Sequence, residues 1–316
     1  MKSKRLRSRI LFMGTPEFAV PSLAILVKNG YPIVGVVTQP ARPRGRGKMV
    51  QPSPVTIFAE RNNLSVIQPE HVRDKEFLGV FRNLSPDVVV VAAFGQILPR
   101  EIIEAPLMGC INVHPSLLPK YRGAAPINWT IVHGEEKTGV TIILMDEGLD
   151  SGDILLQEET LIGPEETFGE LHGRLSRMGA ELLLKTIGMI VEVTVRRIPQ
   201  DASFATYARR LNREDGHICW DTNVSNITNL IRGLSPSPGA YTFLEGKKLK
   251  IFAAKGEEAS VTEPAGKIGR ETERGLQVAA KNGYIYLYDV QLEGRKRMSI
   301  RDFLRGYRIA PGATFR

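Results

Sequence analysis

Only two cysteines, Cys110 and Cys219, occur in the 316 residues. That excludes a disulfide framework and fits a reducing compartment. No apolar run approaches the ~18 residues that a membrane-crossing helix requires, so no membrane partner is expected. The N-terminal MKSKRLRSRI is basic. It lacks the apolar segment of about 7–15 residues of a secretory signal, and a cytoplasmic location is expected. The first strand-like run leads into MGTPEFAVP without a G-x-G-x-x-G, which removes support for a nicotinamide dinucleotide. Gly14 there reads as a tight turn, with a ligand contact as the alternative. Cys110 and His114 stand four apart, but no second Cys/His pair lies at ligand spacing, so no metal is expected. Heptads, internal repeats and low-complexity tracts are also missing, and a monomer is expected.

What is present is an ordinary globular composition, 42% hydrophobic and 24% charged, in a chain long enough for two domains. The first half alternates apolar strand-like runs (ILFM, IVGVVT, DVVVVAA, CINVH, GVTIILM) with helical stretches. Ser53 is placed as an N-cap with Pro54 at the first helical position, where its fixed φ and missing N–H cost nothing. The continuous valine run at 87–93 suits a strand buried on both faces of a parallel sheet. The pattern predicts an α/β, doubly wound, Rossmann-like domain over 1–190, closed by a helix at 167–190, with ligands at the carboxyl ends of its strands. A connector follows at 191–209. From 210 to 316 the runs become short, β-type and separated by glycine turns, which predicts an OB-like β-barrel.

The net charge of +8 is unevenly placed. Lys2, Lys4, Arg5, Arg7 and Arg9 crowd the N-terminus, while Arg42, Arg44, Arg46 and Lys48 fill a Pro- and Gly-rich loop without an acid. Residues 210–316 add a further basic excess. Such segregation points to a polyanion, the alternative being a merely solvated surface. The loop is too rich in Pro and Gly for a helix and reads as flexible and phosphate-seeking, its arginines suited to bidentate phosphate contacts.

Asn112 and His114 lie two apart at the end of a strand and so project from the same face. An amide can donate to a carbonyl oxygen that becomes an oxyanion, and a neutral imidazole can take or relay an amine proton. The loop MDEGLDSGD offers Asp146, Asp150 or Asp153 to orient that ring. A polar strand end satisfied by backbone bonds is the competing reading, and spacing alone does not choose.

The stretches INVHPSLLPKYRGAAPI and TGVTIILMDEGLDSGDIL, together with GTPEFAVPSL, TQPARPRGRGKMVQPSPV and VVAAFGQILP, resemble the formyltransferases that use 10-formyltetrahydrofolate. The resemblance spans nearly the whole chain. It implies a catalytic trio at Asn112, His114 and Asp150, with Ser116, Leu117, Leu118 and Pro119 contacting the folate. The basic insertion and full-length second domain resemble the branch whose acceptor is the α-amino group of methionine on initiator tRNA. On that likeness Arg46 and Lys48, flanked by Arg42 and Arg44, approach the tRNA acceptor end. One departure is Ser237, where the family pattern usually has Trp. Two rivals remain: formyl transfer to a small amine such as an amino sugar or glycinamide ribotide, and a noncatalytic RNA-binding protein.

Overall fold

The computed structural model describes residues 8–44 and 49–316. Two compact units divide them. The first takes the described part of Met1–Gly123 with Thr138–Thr160 and His172–Tyr207; the second takes Ala124–Lys137, Leu161–Leu171 and Ala208–Arg316.

The first unit is built on a sheet of β1 (Ile10–Gly14), β2 (Ile33–Val37), β5 (Val66–Ile67), β6 (Val88–Ala92), β7 (Cys110–His114), β9 (Lys137–Leu144) and β10 (Ile154–Leu161). Their spatial order is β10-β9-β7-β6-β1-β2-β5, with the two-residue strands β8 (Arg122–Gly123) and β11 (Tyr207–Ala208) outside it. β1 pairs parallel with both β2 and β6, and β6 pairs parallel with β7. The chain therefore winds one way from β1 and then the other, leaving a crevice at the carboxyl ends of β1 and β6. Every residue of β1 and β6 is buried, as their unbroken apolar runs require. Gly14 ends β1 where a Cβ would lie 2.9 Å from the Ala92 carbonyl oxygen and 2.8 Å from Ala19 Cβ, so close packing at this turn excludes a side chain.

Helix α1 (Val20–Lys28) stops before Gly30, whose φ is 73°. α2 (Pro54–Arg61) starts as expected: Ser53 Oγ accepts the Thr56 N–H at 3.0 Å. α3 (Lys75–Leu84) and α4 (Arg100–Glu104) precede β6 and β7, and the long α6 (Phe168–Val191) follows β10. The sheet departs from the parallel expectation at β9, which runs antiparallel to β7 with Thr141 opposite His114. The excursion that leaves β7 at His114 returns to the sheet at the same end, so no crossover intervenes. Within the basic stretch, expected as a loop, β3 (Arg42–Arg44) pairs antiparallel with β4 (Met49–Gln51), and residues 45–48 lie outside the described residues.

The second unit is an antiparallel sheet of β12 (Ala240–Leu244), β13 (Lys247–Glu258), β16 (Gly283–Leu292), β15 (Gly275–Ala280) and β14 (Ile268–Thr272), in that spatial order, with β17 (Met298–Ser299) on β16. Register shifts near Ala253 bend the long β13. The two ends of the path are joined by the last residues: Ile268 N donates to Ala313 O, Phe315 N to Gly266 O, and Phe243 N to Arg316 O. This closes the sheet toward the barrel expected. Trp220, stacked on Phe315 at 5.4 Å, shares the core with Ile227, Ile231, Leu249, Ile251, Leu287 and Phe303. α5 (Pro126–Val132) belongs to this unit through α7 (Val224–Gly233), where Asn128 Nδ2 donates to Gly233 O at 2.8 Å. α8 (Ile300–Gly306) is capped by Ser299. Ser237 is exposed in the turn before β12. Among the described residues no helix is long and apolar enough to cross a membrane.

Candidate active site

The period of a strand puts Asn112 and His114 on one face of β7, and the loop after β9 brings Asp150 to both. Asn112 Nδ2 donates to Asp150 Oδ1 at 3.3 Å, and His114 Nδ1 lies 3.6 Å from Asp150 Oδ2. Oδ2 also accepts the Gly123 N–H at 2.9 Å. The carboxylate is thus gripped on both oxygens, with its side chain 14% exposed. Of the three candidate acids, Asp150 is the one that reaches the ring, while Asp146 is engaged locally, accepting from Gly148 N and Ser151 Oγ.

Asp150 sits at φ 50°, a left-handed conformation that Asp tolerates better than most residues. Two positions later a Cβ on Gly152 would stand 1.8 Å from the Leu144 carbonyl oxygen. Only glycine lets the loop fold back this closely on the end of β9.

The other ring nitrogen of His114, Nε2, is 3.0 Å from the main-chain carbonyl of Tyr121. Since a carbonyl only accepts, Nε2 carries a hydrogen and Nδ1 faces the carboxylate. Tyr121 has φ 61°, and its N–H donates to Thr206 Oγ1 at 2.9 Å. Asn112 retains a second Nδ2 hydrogen beyond the one directed at Asp150. An amide donor, an imidazole and a carboxylate therefore converge at the rim of the sheet. That set can stabilise a developing oxyanion and carry a proton between two nitrogens.

The irregular segment after β7 is internally tied. Ser116 Oγ donates to Lys120 O at 2.7 Å, Thr141 Oγ1 donates to Ser116 O, and Leu118 N donates to Thr141 Oγ1. Ser116 and Leu118 are buried, whereas Leu117 and Pro119 are half-buried. Arg42 and Arg44 lie on β3, and Arg46 and Lys48 lie outside the described residues. Cys110, on the same strand as His114, is wholly buried; burial pushes its thiol well above the ordinary range, which disfavours a thiolate ligand. A cavity of about 520 Å³, lined by Gln39, His71, Arg73 and Gln96 among others, opens just past the carboxyl ends of β2 and β6; Gln39 and Gln96 lie in stretches that carry the resemblance, and none of the candidate catalytic, folate or tRNA residues lines it.

Sequence reasoning missed Tyr121, Gly123, Arg122, Thr206 and Gln200. Arg122 and Gly123 stood in the quoted motif stretch without an assigned task; Gln200 stood in the connector with no local signal at all.

The formyl transferase family model matches residues 7–187, and the model for the formyl transferase C-terminal domain matches residues 210–308. Methionyl-tRNA formyltransferase from Syntrophus aciditrophicus (strain SB) is 60% identical over 96% of this chain and 98% of its own. The protein of the same name from Geotalea uraniireducens (strain Rf4) is 48% identical over 96% of this chain and 97% of its own. Among solved structures, HypX from Aquifex aeolicus in complex with tetrahydrofolic acid matches with a TM-score of 0.67 at 15% identity. That match covers 94% of this chain and 47% of HypX, so the chain spans about half of HypX's length. WlaRD, a sugar 3N-formyl transferase in the presence of dTDP and 5-N-formyl-THF, matches with a TM-score of 0.66 at 20% identity, over 92% of this chain and 99% of its own. At such identities these structures share the fold.

Proposed function

The chain belongs to the formyltransferase family, among the methionyl-tRNA formyltransferases, and on that premise we propose that it moves the formyl group of 10-formyltetrahydrofolate to the α-amino group of methionyl-initiator tRNA. The observation that carries this reading is the convergence of Asn112 Nδ2, the His114 ring and Asp150 at the end of β7, in a chain 60% identical over 96% of its length to a methionyl-tRNA formyltransferase.

The acceptor amine attacks the formyl carbon, and the carbonyl oxygen becomes negative. The second Nδ2 hydrogen of Asn112 would donate to that oxygen; one such donor is worth about 2.7–4 kcal/mol in a transition state. The His114–Asp150 pair takes the amine proton at Nδ1, beside the carboxylate, and returns it to the folate nitrogen as the carbon–nitrogen bond to the donor breaks. The Tyr121 carbonyl holds the ring at Nε2, and Asp150 stabilises the positive charge once Nδ1 is protonated. Folate is the co-substrate that supplies the one-carbon group. Its wall is Ser116, Leu117, Leu118 and Pro119, with Leu117 and Pro119 presenting apolar surface and the two buried residues shaping the backbone. The scheme routes no step through a metal or nicotinamide.

The basic stretch supplies the RNA contact. Arg42, Arg44, Arg46 and Lys48 bring four cations to one segment, and phosphate neutralisation by such groups dominates nucleic-acid affinity. The functional partition we adopt is a catalytic domain at 1–190, a connector at 191–209 and a tRNA-binding domain at 210–316. We take the protein to act as a cytoplasmic monomer. Full-length relatives of this name weigh against the small-amine and noncatalytic readings.

The test is transfer of labelled formyl from 10-formyltetrahydrofolate to methionyl-initiator tRNA, beside a free small amine. Turnover with the tRNA is expected; turnover with the small amine alone would overturn the acceptor assignment.

A further inference from the structure

We propose that Gln200 is a positioning residue for the transfer reaction, holding Asp150 against His114, with Arg122 in turn orienting Gln200. The proposal rests on the reading of Asn112, His114 and Asp150 as the transfer machinery.

Gln200 lies in the connector after α6, far along the chain from the residues it touches. Its Nε2 donates to Asp150 O at 2.8 Å and to Gly152 O at 2.7 Å. Its Oε1 accepts from Arg122 Nε at 3.2 Å and from Arg122 Nη2 at 2.7 Å. Both amide hydrogens and both oxygen lone pairs are therefore engaged, so the amide has one orientation and cannot flip without losing all four contacts. Arg122 is 6% exposed, and its guanidinium fork fixes the oxygen end of that amide.

The geometry of the held loop gives these bonds their consequence. Asp150 is in the left-handed region, and the turn from Asp150 to Gly152 directs two carbonyls at the same donor group. Take that donor away and the turn has two unpaired acceptors in a part-buried place, and it relaxes to find others. The carboxylate rides on this turn, so any relaxation moves Oδ1 and Oδ2 relative to Asn112 and His114.

The same stretch of connector secures the opposite edge of the ring. Thr206 accepts the Tyr121 N–H on Oγ1 and the Arg122 N–H on its main-chain oxygen at 2.8 Å. Tyr121 is the residue whose carbonyl meets His114 Nε2. Residues 200–206 therefore determine both partners of the imidazole, Asp150 through Gln200 and the Tyr121 carbonyl through Thr206. The connector is part of the catalytic scaffold as well as a link.

The experiment compares the full-length wild type with Gln200→Glu, Gln200→Met, Asp150→Asn and the double variant Asp150→Asn/Gln200→Glu. Each is assayed for methionyl-tRNA formylation and melted. Glu at 200 keeps the side-chain length and the pairing to Arg122 but sets an acceptor against the two carbonyls; Met keeps the length and removes the polar end. The expected result for Gln200→Glu is a fall in kcat on the order of 10- to 100-fold, the cost of a small misplacement of a reacting group. KM for both substrates should stay within about twofold, because neither binding surface includes Gln200. In the Asp150→Asn background the Gln200→Glu change should add little, since a positioning residue has no work once its carboxylate is gone. Wild-type kcat in both Gln200 variants, or losses that multiply with that of Asp150→Asn, would overturn the proposal while leaving the trio intact. Wild-type kcat in Asp150→Asn would sink the trio reading and the proposal with it. Failure of both Gln200 variants to fold would assign Gln200 to stability and overturn the positioning role.

Discussion

Nε2 of His114 stands 3.0 Å from the carbonyl oxygen of Tyr121. This one contact assigns the ring's tautomer, because the carbonyl can only accept, and it directs Nδ1 to Asp150 Oδ2, 3.6 Å away. A protonated ring here would lie between a carbonyl and a carboxylate, with both of its N–H groups facing acceptors.

With Asn112 proposed as the donor for the oxyanion, its loss should show in turnover rather than in binding. Asn112→Ala should lower kcat on the order of 10²- to 10³-fold. KM for methionyl-tRNA should change little. Steady-state kinetics with the tRNA varied would check both, and a rise in KM with kcat preserved would reassign Asn112 to substrate binding.

Charge on the basic stretch should govern the salt dependence of tRNA use. Replacing Arg46 and Lys48 with Ala should raise KM for the tRNA at moderate salt. It should also flatten the plot of log affinity against log salt by roughly 0.7–0.9 per lost phosphate contact. Filter binding across a salt series measures the slope; an unchanged slope would remove these two side chains from the RNA contact.

Gly152→Ala tests the packing under Asp150. The new methyl would meet the Leu144 carbonyl oxygen at 1.8 Å, a distance that forces the loop to shift. A stability loss of about 1–3 kcal/mol is expected from such overpacking. Turnover should fall with it, because the displaced loop carries Asp150. Urea unfolding and single-turnover formylation would separate the two effects.

Ser53 caps α2 through the Thr56 N–H and also bonds Thr38 Oγ1 at 2.8 Å. Ser53→Ala should cost about 0.5–2 kcal/mol. Ser53→Asp restores a cap acceptor but places a charge in a buried site, so it should not rescue the loss. Thermal melts of the two variants decide this.

Burial against Phe18, whose ring centroid is 5.4 Å away, holds His172 below its ordinary value of 6.5, partly opposed by Glu17. In the unfolded chain this group binds a proton near its ordinary value; in the folded chain it resists protonation until lower pH. Its contribution to stability is therefore present above about pH 6.5 and is lost as pH falls through the lowered folded value. His172→Gln should flatten the decline of the melting temperature just below pH 6.5. A decline identical to wild type would place its source elsewhere.

The strand periodicity of β7 was legible because it is local: in a strand, residues two apart share a face whatever surrounds them. The cap at Ser53 was legible for the same reason, since its partner is three residues away. The valine run of β6 announced burial on both faces and is buried throughout. The direction of β9 was not legible, because an apolar run carries no sign of whether its neighbour runs with it or against it.

Composition and motif order, by themselves, determined an α/β unit followed by a β unit, the pairing of Asn112 with His114, and the absence of a dinucleotide fingerprint. Tertiary structure decided which of three aspartates reaches the ring, since Asp146 is captured by its own turn and Asp150 is lifted to His114. It also decided that Gln200 braces that aspartate and that residues 313–316 join the two ends of the second sheet. The difference is physical. Periodicity and caps depend on neighbours a few residues away, whereas the partner of a buried amide or an open strand edge is whatever distant segment packing delivers to it.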